Sequence, residues 1–430
     1  MNLLILPNQL FDPEYFPDKP ALVLLYEHPQ YFTKYKFNKK KLVLHRASMK
    51  CYQELLEKKK YKVQYIEYKN KLPKIKFNMF DPIDNLKLKA VEIYESPNFL
   101  LTKEDYEKMR KKSDKFFFNS FYESGKKINE MIPGIKSQDK KNRERMPKTI
   151  TIPKGINNPK KEKKYVDEAI KYVESNFPNN YGNTEKFWCP ISYEGAKKWL
   201  NEFIKNKFEK FGPYQDFIKQ GNEFLFHSAL SCVINIGLLN PLEIFEIIKP
   251  LKDKVSINSF EGYVRQLYWR EYQRYCFLYC DFNVNYFGNK KKLSKEWYTG
   301  ELKVHPVDDA IKTAFDIGYL HHINRLMVVG NYMNLYGISP KEGLKWFMEF
   351  SVDSYEWVMY QNVLDMVFFV TGGKTMRKPY ATSSNYVLKM SDYKKGEWCD
   401  TWNEKYQDFM KKNKDKLWKF RYSFPGLKKL

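Results

Sequence analysis

Two of the six histidines in this 430-residue chain, His321 and His322, stand side by side in YLHHINRLMVVG, a segment that otherwise reads as a buried helix. An imidazole changes charge near neutral pH, so it can give or take a proton in a cleft, and it also ligates metals. Consecutive helical residues diverge by about 100°, so this pair cannot converge on one metal as an i, i+4 pair would. A two-histidine metal site is disfavoured. Gly318 lies one turn before His322 and Arg325 one turn after it, which makes His322 the better candidate to face a ligand. On spacing alone, a satisfied core histidine and a proton donor remain equal alternatives.

Three other segments have residues suited to chemistry. FHSALSCVINIGLLNPLEIFE sets Ser228 and Ser231 at the head of an apolar helix, where hydroxyls and free N–H groups suit a phosphate but serve equally as ordinary caps. EGYVRQLYWREYQRY spaces Arg265, Trp269, Arg270 and Arg274 for one helix, an interleaving that suits bases and phosphates or a solvated basic face. KWFMEFSVDSYEWVMYQNVLDM concentrates Trp346, Phe347, Tyr355, Trp357 and Tyr360. Such stripes are more often core than cofactor box, although beside a redox group they become candidate electron carriers.

These segments need a large scaffold, and the chain is long enough for two or three domains. Lys plus Arg (75) exceed Asp plus Glu (51), a net +24 that favours a polyanionic partner such as nucleic acid, or an anionic membrane surface. Abundant Lys, Asn, Tyr, Phe and Ile also fit compositional drift. The lack of a membrane-spanning apolar run or a signal peptide predicts an intracellular protein. Six cysteines without a CxxC pair are not a disulfide framework. Residues 1–130 alternate short apolar runs (LLIL, ALVLLY, KLVLH, YKVQYIEY) with helical stretches, the pattern of an α/β domain with a parallel sheet. Residues 131–165 form a basic, Pro- and Gly-containing connector, and 166–430 read as an all-α domain.

In order, FGPYQDF, FHSALSCVINIGLLNPLE, EGYVRQLYWREYQR, GYLHHINRLMVVGN, YEWVMYQNV and MRKPYATSSNYVLKMSDY resemble the prokaryotic (6-4) photolyases, the iron-sulfur bacterial branch of the photolyase/cryptochrome superfamily. LILPNQLF, NKKKLVLHRASMKCYQELL and SQDKKNRERMP extend the resemblance over nearly the whole chain. It implies an α/β antenna domain and a helical domain that holds FAD. It also implies light-driven repair of UV-damaged DNA by a monomer, with FAD supplying the electron. Tyr214, Ser228, Leu230, Ser231, Arg265, Trp269, Arg270, Arg325 and Asn362 match flavin-site positions; Gln266, His321 and Tyr380 match lesion contacts. His322 matches the catalytic histidine, Trp346 the flavin-proximal tryptophan, and Tyr380 a lesion-pocket residue. Gln266 and His322 favour (6-4) repair, since that reaction must return an oxygen between bases and needs a proton donor. Cyclobutane dimer repair and a cryptochrome-like photoreceptor are the alternatives, and a cofactor-free basic DNA-binding protein is the least specific one. A ribityl-lumazine antenna would sit near Glu27 and NKKKLVLH.

The chain departs from that family at four points. Pro306, Lys394 and Glu397 occupy cluster-cysteine positions and Cys399 alone remains, so no iron-sulfur cluster is expected; a Lys394–Glu397 ion pair could replace it. Phe347 and Tyr298 replace carriers of the electron route, leaving Trp357 or Trp297 as partners for Trp346. Thr371 stands where relatives carry Asp, which puts a flavin or lesion contact in question. The C-terminal tail is shorter.

Overall fold

The computed structural model describes residues 1–110, 115–153 and 159–429. Its first unit is a parallel sheet of β1 (Asn2–Ile5), β2 (Val23–Tyr26), β3 (Val63–Ile66), β4 (Phe77–Phe80) and β5 (Ile93–Tyr94), in the order β3-β2-β1-β4-β5. β2 and β4 are buried along their whole length, as expected when both faces of a parallel sheet are covered.

KLVLH, read above among the short apolar runs, belongs instead to α1 (Lys39–Lys58). Asn38 caps this helix, accepting from the Lys40 N–H at 2.9 Å. The helix is wedged between the sheet and the helical unit, so its first turns are buried all round; without a polar face, such a run cannot be told from a strand. Polar groups join the two units. Asn38 Nδ2 donates to the Phe315 carbonyl at 2.9 Å, Lys41 donates to Ser354, and Arg46 pairs with Glu27, Glu67 and Glu168 of α2 (Lys163–Asn176).

The helical unit includes α3 (Phe208–Tyr214), α4 (Ser231–Ile234), α5 (Ile257–Tyr279), α6 (His305–Ile317), α7 (Pro340–Phe350) and α8 (Glu397–Lys412). A single buried cluster runs from Leu3 to residues of α8 and beyond. The connector's residues 154–158 lie outside the described residues; its 138–144 stretch is fastened to the helical unit by Gln138 N–H to Glu261 (2.8 Å) and Glu144 N–H to the Pro213 carbonyl (3.0 Å).

Two helices read from the sequence are broken. The stretch 226–246 is helical at α4, stops, and resumes at Pro241–Ile248. Gly237 causes the break: its φ is +90°, and a Cβ there would lie 2.5 Å from the Phe11 ring. In YLHHINRLMVVG, α6 has already ended at Gly318, whose φ of +74° caps it, and Asn324–Gly330 is π-helical. A Cβ on Gly318 would meet Val352 at 2.8 Å, so this glycine serves the turn and does not open a face for His322.

Candidate functional site

A cavity of about 280 Å³ lies within the helical unit. One stripe of α5 lines it: Tyr263, Gln266, Leu267, Arg270 and Gln273 fall at i, i+3, i+4, i+7 and i+10. Opposite are Arg325 and Leu326 from one π-helical segment, with Asn362 and Val363 from a second, Tyr360–Val367. Extra residues per turn widen both segments beside the cavity, where π-helix is often found at functional sites. The two approach closely at Gly330, where a Cβ would lie 2.7 Å from Val367.

His227, Ser228, Leu230 and Ser231 line another wall, on a bend that holds Ala229 at φ +51°. A left-handed alanine costs roughly 1–2 kcal/mol and is tolerated where packing fixes it. Here Trp199 Nε1 donates to the Ser228 carbonyl at 2.7 Å. Asp353 organises the next layer. It receives both guanidinium nitrogens of Arg325 (2.9 and 3.1 Å), Ser231 Oγ at 2.6 Å, and Ser351 Oγ. Burial works to raise the Asp353 pKa, but the charge and hydrogen bonds of Arg325 and the two serines hold it below the usual range.

Arg270 is compensated differently. Its Nε donates to Asn235 at 3.0 Å and its Nη1 to the Asn98 carbonyl at 2.6 Å, while its carboxylate partner, Glu271, is 4.0 Å away. Burial lowers its pKa to about 10. A buried guanidinium so weakly paired beside a cavity suits an anionic ligand. Together with the apolar walls and the serine bend, it suits a flavin dinucleotide, whose phosphates Arg270, Asn235 and Ser228 could hold.

His322 lines the same cavity and is exposed to it, although protein encloses it on all sides. Burial, then the charges of Arg325 and Arg265, push its pKa down to about 4. Before a ligand binds it is therefore a neutral imidazole holding one N–H. Gln215 and Asp216 share its cavity. Arg143 of the connector is 3.4 Å from Asp216 and 3.0 Å from Asp139, which also pairs with Arg265 at 2.9 Å. Tyr380 lies within the field of these three charged groups, Arg143, Asp139 and Asp216.

Of the residues singled out by sequence, Ser228, Leu230, Ser231, Gln266, Trp269, Arg270, His322, Arg325 and Asn362 share the cavity. Tyr214, Arg265, His321, Trp346 and Tyr380 do not line it. Tyr214 packs on Phe226 (5.8 Å), and His321 is buried against His227. Trp346 lies one ring back, 5.1 Å from Phe347, which does line the cavity. The α5 arginines form no solvated basic face: Arg274 is fully buried on Glu95 and Asp81, and Trp269 stacks on Phe118 at 3.8 Å. Asp353, Asp216, Asn235 and His227 escape sequence reasoning. Arg325 is the signal for Asp353, since a buried cation needs a counter-ion.

The departures resolve individually. Lys394 and Glu397 are exposed and, among the described residues, form no ion pair with each other. The segments they would staple are joined by Tyr393 Oη donating to Asp309 at 3.0 Å, with His305 against the Tyr393 ring and Gln220 between His305 and Asp309. Among the described residues no group of three or more His, Cys, Asp or Glu is placed to hold a metal ion. Thr371 closes a turn on Asp365, donating through N and Oγ1, and is not among the cavity residues. Glu27 is filled: it accepts from Arg46 (2.9 Å), Tyr65 (2.6 Å), Tyr172 (2.8 Å) and the Tyr68 N–H (3.1 Å), leaving a carboxylate no free acceptor site for a pigment. Trp357 packs against Phe99 and the Arg270 guanidinium.

The family model for deoxyribodipyrimidine photo-lyase-related protein matches residues 3–95 and 83–189. The chain is 36% identical over 275 residues to a (6-4) photolyase of Agrobacterium fabrum, covering 59% of this chain and 53% of that protein. It thus spans about half the length of this relative. A bacterial class III photolyase structure from Agrobacterium tumefaciens superposes with a TM-score of 0.62 at 15% identity, over 95% of this chain and 86% of that one. An archaeal photolyase structure from Sulfolobus tokodaii, with two FAD molecules, gives 0.61 at 13% identity, over 96% and 100%.

Proposed function

We propose that this chain is a member of the photolyase-related family and a flavin-dependent, light-driven DNA photolyase acting on (6-4) pyrimidine photoproducts, a reading supported by the family-model match over residues 3–189 and by its likeness to a (6-4) photolyase. The observation that carries this reading is one cavity lined by Arg270 and the serine bend, groups suited to an anion, together with His322 and Gln266. A bound, reduced FAD supplies the light-driven electron. The chain's own residues do the rest. Arg325, fixed by Asp353, fills one side of the cavity with compensated charge, leaving Arg270 for the dinucleotide phosphates. The apolar walls exclude water from the reacting bases.

His322 holds a neutral imidazole N–H in the cavity. Burial is the first cause of its depressed pKa and the charges of Arg325 and Arg265 the second; phosphate oxygens of a flipped lesion would offset the second, raising the share of protonated imidazole able to give a proton to an oxygen leaving one base for the other. The (6-4) product requires such a donor, whereas a cyclobutane dimer does not. The basic surface would hold flanking phosphates, an interaction that weakens steeply with salt.

The test is direct. The reduced, FAD-loaded protein is incubated with oligonucleotides carrying each defined lesion, in light and dark, and the products are chromatographed. Light-dependent reversal of the (6-4) product, lost in His322→Ala with flavin retained, is the expected result. Reversal of the cyclobutane dimer alone overturns the role of His322, and reversal of neither overturns the photolyase reading.

A further inference from the structure

We infer that the outer face of residues 411–428 is a docking surface for single-stranded DNA, with Trp418 and Tyr422 as the rings on which its bases stack. That the strand is DNA rests on the photolyase reading, whereas the stacking surface rests on its own geometry.

Beyond α8 the chain makes one α-helical turn, Lys414–Leu417, and a short 3-10 segment, Trp418–Ser423. Leu417, Phe424 and Leu427 are buried and Phe420 packs on Phe369 at 5.3 Å, so apolar residues at i, i+3, i+7 and i+10 fasten one face to the helical unit. Polar bonds hold the same segment. Lys416 Nζ donates to the Tyr286 carbonyl at 2.7 Å, Tyr286 Oη donates to the Lys416 carbonyl at 2.8 Å, and Lys419 Nζ donates to the Gly372 carbonyl at 3.0 Å.

The opposite face is turned to water. Trp418 is 46% exposed and Tyr422 81%. Four residues apart, they are neighbours on the surface, and the Arg421 guanidinium lies 5.5 Å from the first ring centre and 4.7 Å from the second. Burial of Leu417, Phe424 and Leu427 already secures the segment, so neither exposed ring is needed to hold it. Residues 411–428 have seven Lys and Arg against one Asp. Among the described residues none of the seven pairs with a carboxylate, and the neighbouring Glu404 and Asp408 lie beside Lys405 instead.

Unpaired cations around two exposed rings match a single-stranded polyanion, whose bases offer π-faces and whose phosphates repeat between them. A bilayer surface would attract the same charge, but insertion needs a broad apolar face, and here the apolar residues are turned inward. Duplex DNA keeps its base faces stacked inside and offers the rings nothing to stack on. The scaffold under the segment also leads to the cavity. Val367 lines the cavity, Phe369 carries Phe420, and Gly372 carries Lys419. The chain then passes exposed Arg377 and Lys378 to Tyr380, in the field of Asp216 on the cavity wall. From Gly372 to Tyr380 is at most about 29 Å of extended chain, or about eight nucleotides at about 3.4 Å each. A strand that enters the cavity is therefore long enough to reach the rings with its flank.

The experiment titrates the full chain against a fluorescein-labelled, undamaged oligo(dT) of about sixteen nucleotides, twice that span, and follows anisotropy over a series of salt concentrations. Trp418→Ala with Tyr422→Ala should weaken binding at least about tenfold, and Trp418→Phe with Tyr422→Phe should restore most of it. Lys412→Gln with Lys414→Gln should lower the slope of log K against log salt by about 1.4, the loss of two phosphate contacts. Circular dichroism separates lost binding from lost fold. An alanine pair that binds oligo(dT) as tightly as the wild type overturns the inference. Tighter binding of oligo(rU) overturns the assignment to DNA, and an alanine pair that loses only its binding to phosphatidylserine vesicles makes the face a membrane contact instead. Lesion repair by the same preparation decides the photolyase reading separately: strand binding through the two rings without repair keeps the surface and removes the photolyase.

Discussion

The imidazole rings of His227 and His321 stack 4.9 Å apart and 9° from parallel, and neither nitrogen of His321 nor Nε2 of His227 has a hydrogen-bond partner. Two rings so placed cannot both be charged. Burial comes first among the causes: it pushes His227 down to about 3 and His321 well below its ordinary 6.5, and neighbouring positive groups push the same way. The unfolded chain therefore binds protons below pH 6.5 that the folded chain refuses. Stability contributed by these groups is complete above pH 6.5 and declines as the pH falls toward 3, by roughly 1.4 kcal/mol per pH unit for each group. Thermal midpoints at pH 7.5 and pH 5 should differ markedly, and His321→Gln should flatten the dependence. Equal midpoints would show that the stack is protonated.

The Arg325–Asp353 pair behaves as a buried ion pair does. Asp353→Asn leaves Arg325 without its bidentate partner and should cost about 3–5 kcal/mol in urea unfolding. Arg325→Met with Asp353→Leu removes both charges and should recover most of that loss. A single mutant as stable as the double would mean that solvent already screens the pair.

At the cluster positions Tyr393 Oη donates to Asp309 at 3.0 Å, and that contact is expected to carry stability there. Tyr393→Phe removes a hydrogen bond to a charged acceptor and should lower stability by about 1.5–3 kcal/mol. Dialysis against a chelator should leave the thermal midpoint where it is, and iron analysis should find none in stoichiometric amount. A chelator-sensitive midpoint would contradict this.

Legibility in the sequence followed a physical rule. β1 and β2 are legible in LLIL and ALVLLY because strands covered on both faces are apolar throughout, and KLVLH is misleading for the same reason, as a helix buried on all sides loses its period. On α5 the helix itself is legible from spacing, but of the residues that spacing singles out only Trp269 and Arg270 line the cavity, while Arg265 and Arg274 turn to carboxylates elsewhere. Asp353 and Asp216 are not legible, since their partners Arg325 and Arg143 are 28 and 73 residues away in sequence. Gly318 illustrates a different limit. Its cost in a helix is a correct signal, but the sequence cannot say whether the glycine ends the helix or opens it to a ligand; the positive φ decides that.

Arg270 provides the sharpest test of the cofactor site. A ligand that binds the folded state alone raises stability by RT ln(1 + [L]/Kd), about 2.7 kcal/mol at one hundred times Kd. FAD added to the apoprotein should therefore raise the thermal midpoint in proportion to its concentration. Arg270→Leu loses the bonds to Asn235 and the Asn98 carbonyl but also removes a charge whose nearest carboxylate is 4.0 Å away. These changes oppose each other, so the apoprotein midpoint should move little while the FAD-dependent rise disappears. A variant that keeps the full rise would place the phosphates elsewhere, and a wild type without one would remove flavin from the cavity.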